Sequence, residues 1–471
     1  MKDDTYLQIA KVLLLLSGLY VILRSYFLVI TFDEALTYLD YVTKSYIAIF
    51  TEESIANNHF LNTVLIKFFV DRFGVSEFVL RIPALIGAAI YLTTAYYISK
   101  LLFKNIYFLA SVLLLITSPL IMDFLPIARG YSLALGFFMV ALYYFMKDEH
   151  AEIVILMATL SVLSVLSFLY VYAALLLLLV VRELKRFDVK SLIVKVVLPS
   201  GISLSFLYLT LFGQVTAMQK GDQFYFGGTV GFWQDTMWSI INYNLYENKY
   251  LSVELFQAIV ILTIAILLLL IAYGTREKQL MTICSLIFLL IMLINIHHLM
   301  GTRFILDRAA IFFVPLFAIM IIHLWNDSTV IAPKYSRIIN TFFIVILIIF
   351  CFNFLQSINL THTLQWKFEA DLDDVINEIR ADETNSSDQK SIGATWYYYT
   401  GINFYRIKYN LTWLKPATRD GVDGIYDYYL AHWEDKSILD KYNITYKYYP
   451  VSNSYFGKGN NRMSSNHTAT L

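Results

Sequence analysis

Charge is what this sequence has least of. Asp, Glu, Lys and Arg make up 15% of its 471 residues, apolar residues reach 58%, and mean hydropathy is +0.59. An average soluble protein carries roughly 25% charged and about 45–50% apolar residues, so a soluble globule is excluded. Net charge is missing as well, since 36 basic and 36 acidic side chains cancel. No bulk field exists to recruit nucleic acid or an acidic partner, and any electrostatic function must be local. Only two cysteines occur, Cys284 and Cys351, both inside apolar runs, which argues against a disulfide framework or a cysteine metal site. The chain also lacks an HExxH spacing and any internal repeat.

What is present in abundance is long apolar runs. Residues 160–181, 258–273 and 339–352 are almost wholly apolar and match a hydrocarbon core about 30 Å thick. The expected fold is therefore mainly α, a polytopic transmembrane helical bundle. Judged against the roughly 20 residues needed to cross, spans fall at 12–30, 78–99, 106–124, 131–146, 151–166, 169–182, 192–213, 252–273, 279–298, 309–325 and 338–356. That makes about eleven crossings. The first run follows Lys2 and Lys11 and has no small-residue cleavage site after it, so it is expected to stay as an uncleaved span with the N-terminus cytoplasmic.

Charges around the spans set their direction. Lys147 precedes the stretch 151–182, and Arg182, Lys185, Arg186 and Lys190 follow it. If both flanks are cytoplasmic, the stretch crosses an even number of times and is a tight hairpin. Lys100 with Lys104, Arg276 with Lys278, and Lys334 with Arg337 then also fall inside. An odd total places the C-terminus outside, in a multi-pass protein of the plasma (inner) membrane.

The expected organisation is a transmembrane domain over 1–357, with external loops at 31–77 and 214–251, and an external C-terminal domain over 358–471. Beyond 357 the apolar runs stop and a polar, tyrosine-rich segment begins. Residues 371–379 space Leu372, Val375, Ile376 and Ile379 as a helix does, while 395–399 and 444–449 favour strands. A small α/β unit is expected there, with 453–471, rich in Ser, Asn, Gly and Thr, fraying. In the first loop, 59–73 has helical apolar spacing with Lys67, Asp71 and Arg72 on another face, which suits an interfacial helix. The second loop mixes Trp, Tyr, Phe and Gly, a composition suited to the headgroup level and to stacking on sugar rings.

Asp33 and Glu34 come straight after the first span, in TFDEALTY. Partial burial at a membrane surface raises a carboxylate towards the range of a general base. The plain alternative is that the two acids mark the helix's polar end. Arg129, Arg303 and Arg308 break the positive-inside pattern, and an anionic ligand at the outer leaflet would explain them, because the guanidinium fork binds phosphate oxygens bidentately. Pairing with Asp123, Asp307 or lipid headgroups is the competing explanation. His59, His297 and His298 fall on the same side and could join the acids in holding a divalent metal, although ordinary interface hydrogen bonds explain them as well. Sequons at Asn359, Asn385, Asn410, Asn443 and Asn466 matter only in a glycosylating pathway.

The order of these features resembles polytopic glycosyltransferases of the GT-C class, in particular the group of protein mannosyltransferases, aminoarabinose transferases and Rgt-like enzymes. The resemblance rests on Asp33-Glu34, then His59 with Leu61, Phe73-Gly74 with Glu77, Arg81 with Pro83-Ala84-Leu85, Ala128-Arg129-Gly130-Tyr131, and Asp307-Arg308 with Pro315. Phe60 replaces a proline of the family pattern, and Ala309 stands where an aromatic commonly follows the late arginine. The resemblance implies transfer of a sugar from a polyprenyl-phosphate donor to an external glycan, lipid or protein acceptor, usually with inversion. In that scheme Asp33 is the base and Glu34 positions the acceptor or tunes its neighbour. Arg129 and Arg308 meet the donor phosphate, and His59, Arg81, Tyr131, His298 and Arg303 line the substrate sites. No cofactor is required, because arginines alone can stabilise a departing monophosphate, though a divalent metal could take part. A transporter of an anionic lipid or glycan is the main alternative; it would usually carry mid-membrane charges and repeats.

Overall fold

The computed structural model describes residues 3–51, 58–186, 189–220, 227–259, 261–262, 301–382 and 389–459. His297, His298, Cys284, the expected span 279–298 and most of 252–273 lie outside the described residues.

Among the described residues, six helices are long and apolar enough to cross a membrane: Asp4–Phe27, Glu77–Leu102, Leu166–Lys185, Val189–Lys220, Phe313–Ile331 and Pro333–Ser357. They mark a multi-pass membrane protein. Three shorter apolar helices accompany them, Asn105–Ile116, Tyr131–Lys147 and Ala151–Ser164. The first and last of the six keep only 11% and 17% of their apolar windows covered, against 56% for Glu77–Leu102. Side chains such as Leu15, Ile202 and Leu209 stand more than 70% exposed, an arrangement at home against lipid and not against water.

Where the sequence expectation treated 106–124 as one span, the structure breaks it. The helix ends at Thr117, and a separate turn, Pro119–Phe124, begins behind Ser118. The cause is local: Pro119 bars the helical conformation at Ser118, whose hydroxyl then caps the new turn by accepting from the Ile121 amide. The stretch 151–182 also divides, at an extended Val165 between Ala151–Ser164 and Leu166–Phe168.

The chain forms two compact units. One comprises Met1–Leu23, Tyr46–Leu65 and Arg81–Ile358; the other comprises Arg24–Ser45, Ile66–Leu80 and Asn359–Leu471. Within the first, the helices Glu77–Leu102 and Tyr131–Lys147 approach so closely that a Cβ on Gly136 would lie 2.7 Å from the Gly87 carbonyl oxygen, and Ser132 donates to Ala84 O at 2.6 Å. Small residues at such a crossing let backbones meet and let a hydroxyl bond across.

The second unit carries a four-stranded sheet in the order β1-β2-β4-β3, built from β1 Ile392–Ala394, β2 Tyr428–His432, β3 Tyr446–Tyr449 and β4 Ser454–Lys458. The β1–β2 pair is parallel and the others antiparallel. Helix Leu372–Ala381 buries Leu372, Val375, Ile376 and Ile379, as their spacing predicts. Two expectations are corrected. Residues 396–399 are helical and not a strand, because β1 ends at Ala394 and Trp396–Tyr398 turns into the helix Tyr399–Lys408. Of the stretch 453–471, residues 454–458 do not fray, since they form a strand paired with β2 and β3 in which Ser454 and Phe456 are buried, and 460–471 lie outside the described residues.

Candidate functional site

The acid pair belongs to the second unit. The helix Phe32–Thr37 starts with a capping box: Thr31 Oγ1 accepts from the Glu34 amide at 3.4 Å, and Glu34 Oε2 accepts from the Thr31 amide at 2.9 Å. The T-x-x-E signature behind this box is legible in TFDE, so Glu34 has a structural duty that explains its near-complete burial. Asp33, also buried, occupies the same first turn, and its carbonyl accepts from Thr37 Oγ1 at 2.8 Å. The turn continues into a wider π turn, Tyr38–Val42.

Two groups from the C-terminal part of this unit hold the segment. Tyr405 Oη accepts from the Ile30 amide at 3.3 Å, and Glu369 Oε2 accepts from the Phe32 amide at 2.5 Å. Phe32 makes edge contacts with Trp396 and Tyr399, each at 6.0 Å between ring centres. Glu369 is buried, and that burial, together with the neighbouring charges of Asp33 and Glu34, pushes its carboxyl well above the usual range. The unit therefore gathers three carboxyl groups, of which sequence reasoning found two. Glu369 sits in a short 3-10 stretch, Leu364–Glu369, with no periodicity or motif to mark it.

The basic cluster belongs to the first unit. His59 precedes the helix Phe60–Phe73, and its ring meets Tyr131 edge-on at 5.1 Å; Phe124 meets Tyr131 from another side at the same distance. Burial, then the charges of Arg129 and Arg308, push the His59 imidazole well below its ordinary value, so it is neutral at physiological pH. His59 Nε2 is buried without a hydrogen-bond partner among the described residues. Gly130 makes this closeness achievable, since a Cβ there would lie 1.9 Å from Ser164 O and 3.1 Å from His59 Cβ. Asn62, which sequence reasoning passed over inside NNHFLNT, ties the helix to the same loop by donating to Ala128 O at 3.0 Å.

Arg308 follows Asp307, whose backbone lies in the left-handed region at φ 42°. A non-glycine residue held there is strained, and the Asp307 amide is fixed by donation to Ser239 Oγ at 2.8 Å. Burial pushes the Asp307 carboxyl upward. Asp123, weighed as an arginine partner, accepts from Tyr243 Oη at 3.0 Å and Tyr246 Oη at 3.1 Å.

Thus the structure brings together His59, Arg129, Tyr131 and Arg308 in one unit, and Asp33 and Glu34 in the other. Arg81 is wholly buried in the first unit, while Arg303 is exposed beside the bridge that joins Gly228 to Phe304. His298 lies outside the described residues. Among the described residues no group of three His, Cys, Asp or Glu side chains is arranged to hold a metal ion. The surroundings of His59 also oppose a cation, because two guanidinium groups already act on it. No protein-family model and no curated protein matches this chain.

Proposed function

We propose that this protein is a membrane glycosyltransferase of the GT-C kind, moving a sugar from a polyprenyl-phosphate donor to an acceptor on the extracytoplasmic side of the plasma (inner) membrane. The observation that carries the reading is the basic cluster: Arg129 and Arg308 both act on one buried, neutral histidine beside Tyr131. Two guanidinium groups that act on one buried position in a membrane protein suit the phosphate of a lipid-linked donor.

In the proposed reaction the acceptor hydroxyl attacks the anomeric carbon, the bond from that carbon to the phosphate oxygen breaks, and the hydroxyl proton passes to Asp33. Arg129 and Arg308 neutralise the charge that builds on the departing lipid phosphate. Neutral His59 can donate or accept a hydrogen bond without adding charge. Glu34 acts through the capping box, fixing the turn from which Asp33 projects. Attack from the face opposite the phosphate inverts the anomeric centre. The finer topology of about eleven crossings, with the N-terminus inside and residues 358–471 outside, belongs to the same proposal.

The test is a panel of radiolabelled polyprenyl-phosphate sugars incubated with purified protein and membrane extract, followed by identification of the labelled product. Transfer from at least one donor is expected. A protein that moves labelled lipid across a sealed bilayer and releases no sugar from any donor would instead be a transporter.

A further inference from the structure

We infer that Glu369 is a positioning residue for Asp33, a carboxyl from the C-terminal part of the chain that clamps the backbone directly ahead of the proposed base. The inference rests on the glycosyl-transfer reading, in which Asp33 takes the acceptor's proton.

Geometry comes first. Glu369 is 2% exposed, its Oε2 accepts from the Phe32 amide at 2.5 Å, and Phe32 is the residue before Asp33. Its other oxygen, Oε1, is buried without a hydrogen-bond partner among the described residues and is faced by Gly401, whose added Cβ would lie 3.5 Å away. The cavity bordering Glu369 measures about 10 Å³ and is walled by Thr31, Thr363, Trp366 and Ala370. A space that size admits at most about one water, too little for a sugar or a phosphate. Glu369 therefore acts through the backbone and not on substrate.

The chemistry explains why an acid serves. The ionisable groups acting with it are Asp33 and Glu34 from the helix Phe32–Thr37, and Tyr397 and Tyr398 from the turn leading into Tyr399–Lys408, whose hydroxyls its charge helps to push upward. Burial, and then the charges of Asp33 and Glu34, hold the Glu369 carboxyl well above its ordinary range, while the bond from the Phe32 amide acts the other way. A neutral carboxyl accepts from the Phe32 amide without adding a third negative charge beside Asp33.

The experiment uses full-length protein in bilayers. Glu369→Gln keeps an accepting oxygen and removes the titration; Glu369→Ala removes both. Hydrogen exchange of the peptide covering residues 28–37 should be slow in wild type and Glu369→Gln and fast in Glu369→Ala, with Glu369→Asp, one methylene shorter, serving the same purpose if the alanine variant does not fold. With the donor found active, Glu369→Ala should lower kcat by about tenfold or more with donor KM unchanged, as misplacement of a reacting group does. Glu369→Gln, which keeps the accepting oxygen, should retain wild-type kcat. Unaltered exchange in Glu369→Ala, or exchange in Glu369→Gln as fast as in Glu369→Ala, overturns the inference. Exchange needs no donor: altered exchange in a protein that uses no polyprenyl-phosphate sugar sinks the glycosyl-transfer reading and leaves the clamp standing.

Discussion

The two units handle buried charge in opposite ways. In the first, positive charge from Arg129 and Arg308 bears on a buried histidine, which answers by staying neutral. In the second, carboxyl groups are drawn together at the start of the helix Phe32–Thr37, and Glu369 answers by keeping its proton. Each unit thus couples charged groups to one neighbour whose ionisation is suppressed. The comparison teaches that the neutral members, His59 and Glu369, report on the sites as clearly as the charged ones do. It also separates two ways of losing activity: through the base or through the phosphate.

The largest effect should come from the acidic side. Asp33→Asn preserves size but cannot take a proton at useful pH, so single-turnover transfer should slow by roughly 10²–10⁴-fold while donor binding survives. Wild-type rates in a purified, folded Asp33→Asn protein would remove Asp33 as the base.

Next in size is the basic side. Losing a charge-assisted bond to an anion costs roughly 1.5–3 kcal/mol, so Arg308→Ala and Arg129→Ala should each weaken donor binding by about one to two orders of magnitude, and Arg→Lys should recover only part of it. Equilibrium binding of the labelled donor measures this directly. Unchanged affinity in both alanine variants breaks the comparison, because the first unit would then hold no phosphate.

A smaller effect separates the two members of the acid pair. Glu34→Gln retains the capping box, since glutamine can also accept from the Thr31 amide, whereas Glu34→Ala should lower stability by about 0.5–2 kcal/mol. Thermal unfolding and transfer rate, measured together, should show the glutamine variant near wild type in both. A Glu34→Gln rate lower than that of Asp33→Asn would exchange their roles.

The smallest effect is a pH dependence of stability. The His59 imidazole is held below its unfolded value near 6.5. Above that value both states are neutral there and the contribution is fully present; as pH falls below it the unfolded chain gains a proton that the folded chain refuses, and stability is lost. Wild type should therefore lose more thermal stability than His59→Gln between about pH 7.5 and about pH 5. Parallel curves would mean that burial and the two arginines do not hold His59 below its unfolded value.

Much of this was open to reading in the chain alone. Apolar runs fixed the helical, membrane-crossing character, because hydrocarbon thickness translates directly into run length. Leu372, Val375, Ile376 and Ile379 announced their helix by spacing, and TFDE carried its own cap. Local signals of this sort survive because the forces behind them act over three or four residues. Even some departures were local: Pro119 ended a helix that hydropathy had run through.

Only the tertiary structure decided which charges share surroundings. Nothing in the sequence ties Arg308 to His59, nor Glu369 to Phe32, 337 residues away. Gly130 gave no sign that it makes room for Ser164 O and His59, and Ser454–Lys458 became a strand through partners on both sides and not through its own composition. Composition sets how much charge a membrane chain can carry, but desolvation and Coulomb forces depend on distance in the folded state. Ionisation at these positions was therefore settled by packing, which brings together residues that no spacing rule connects.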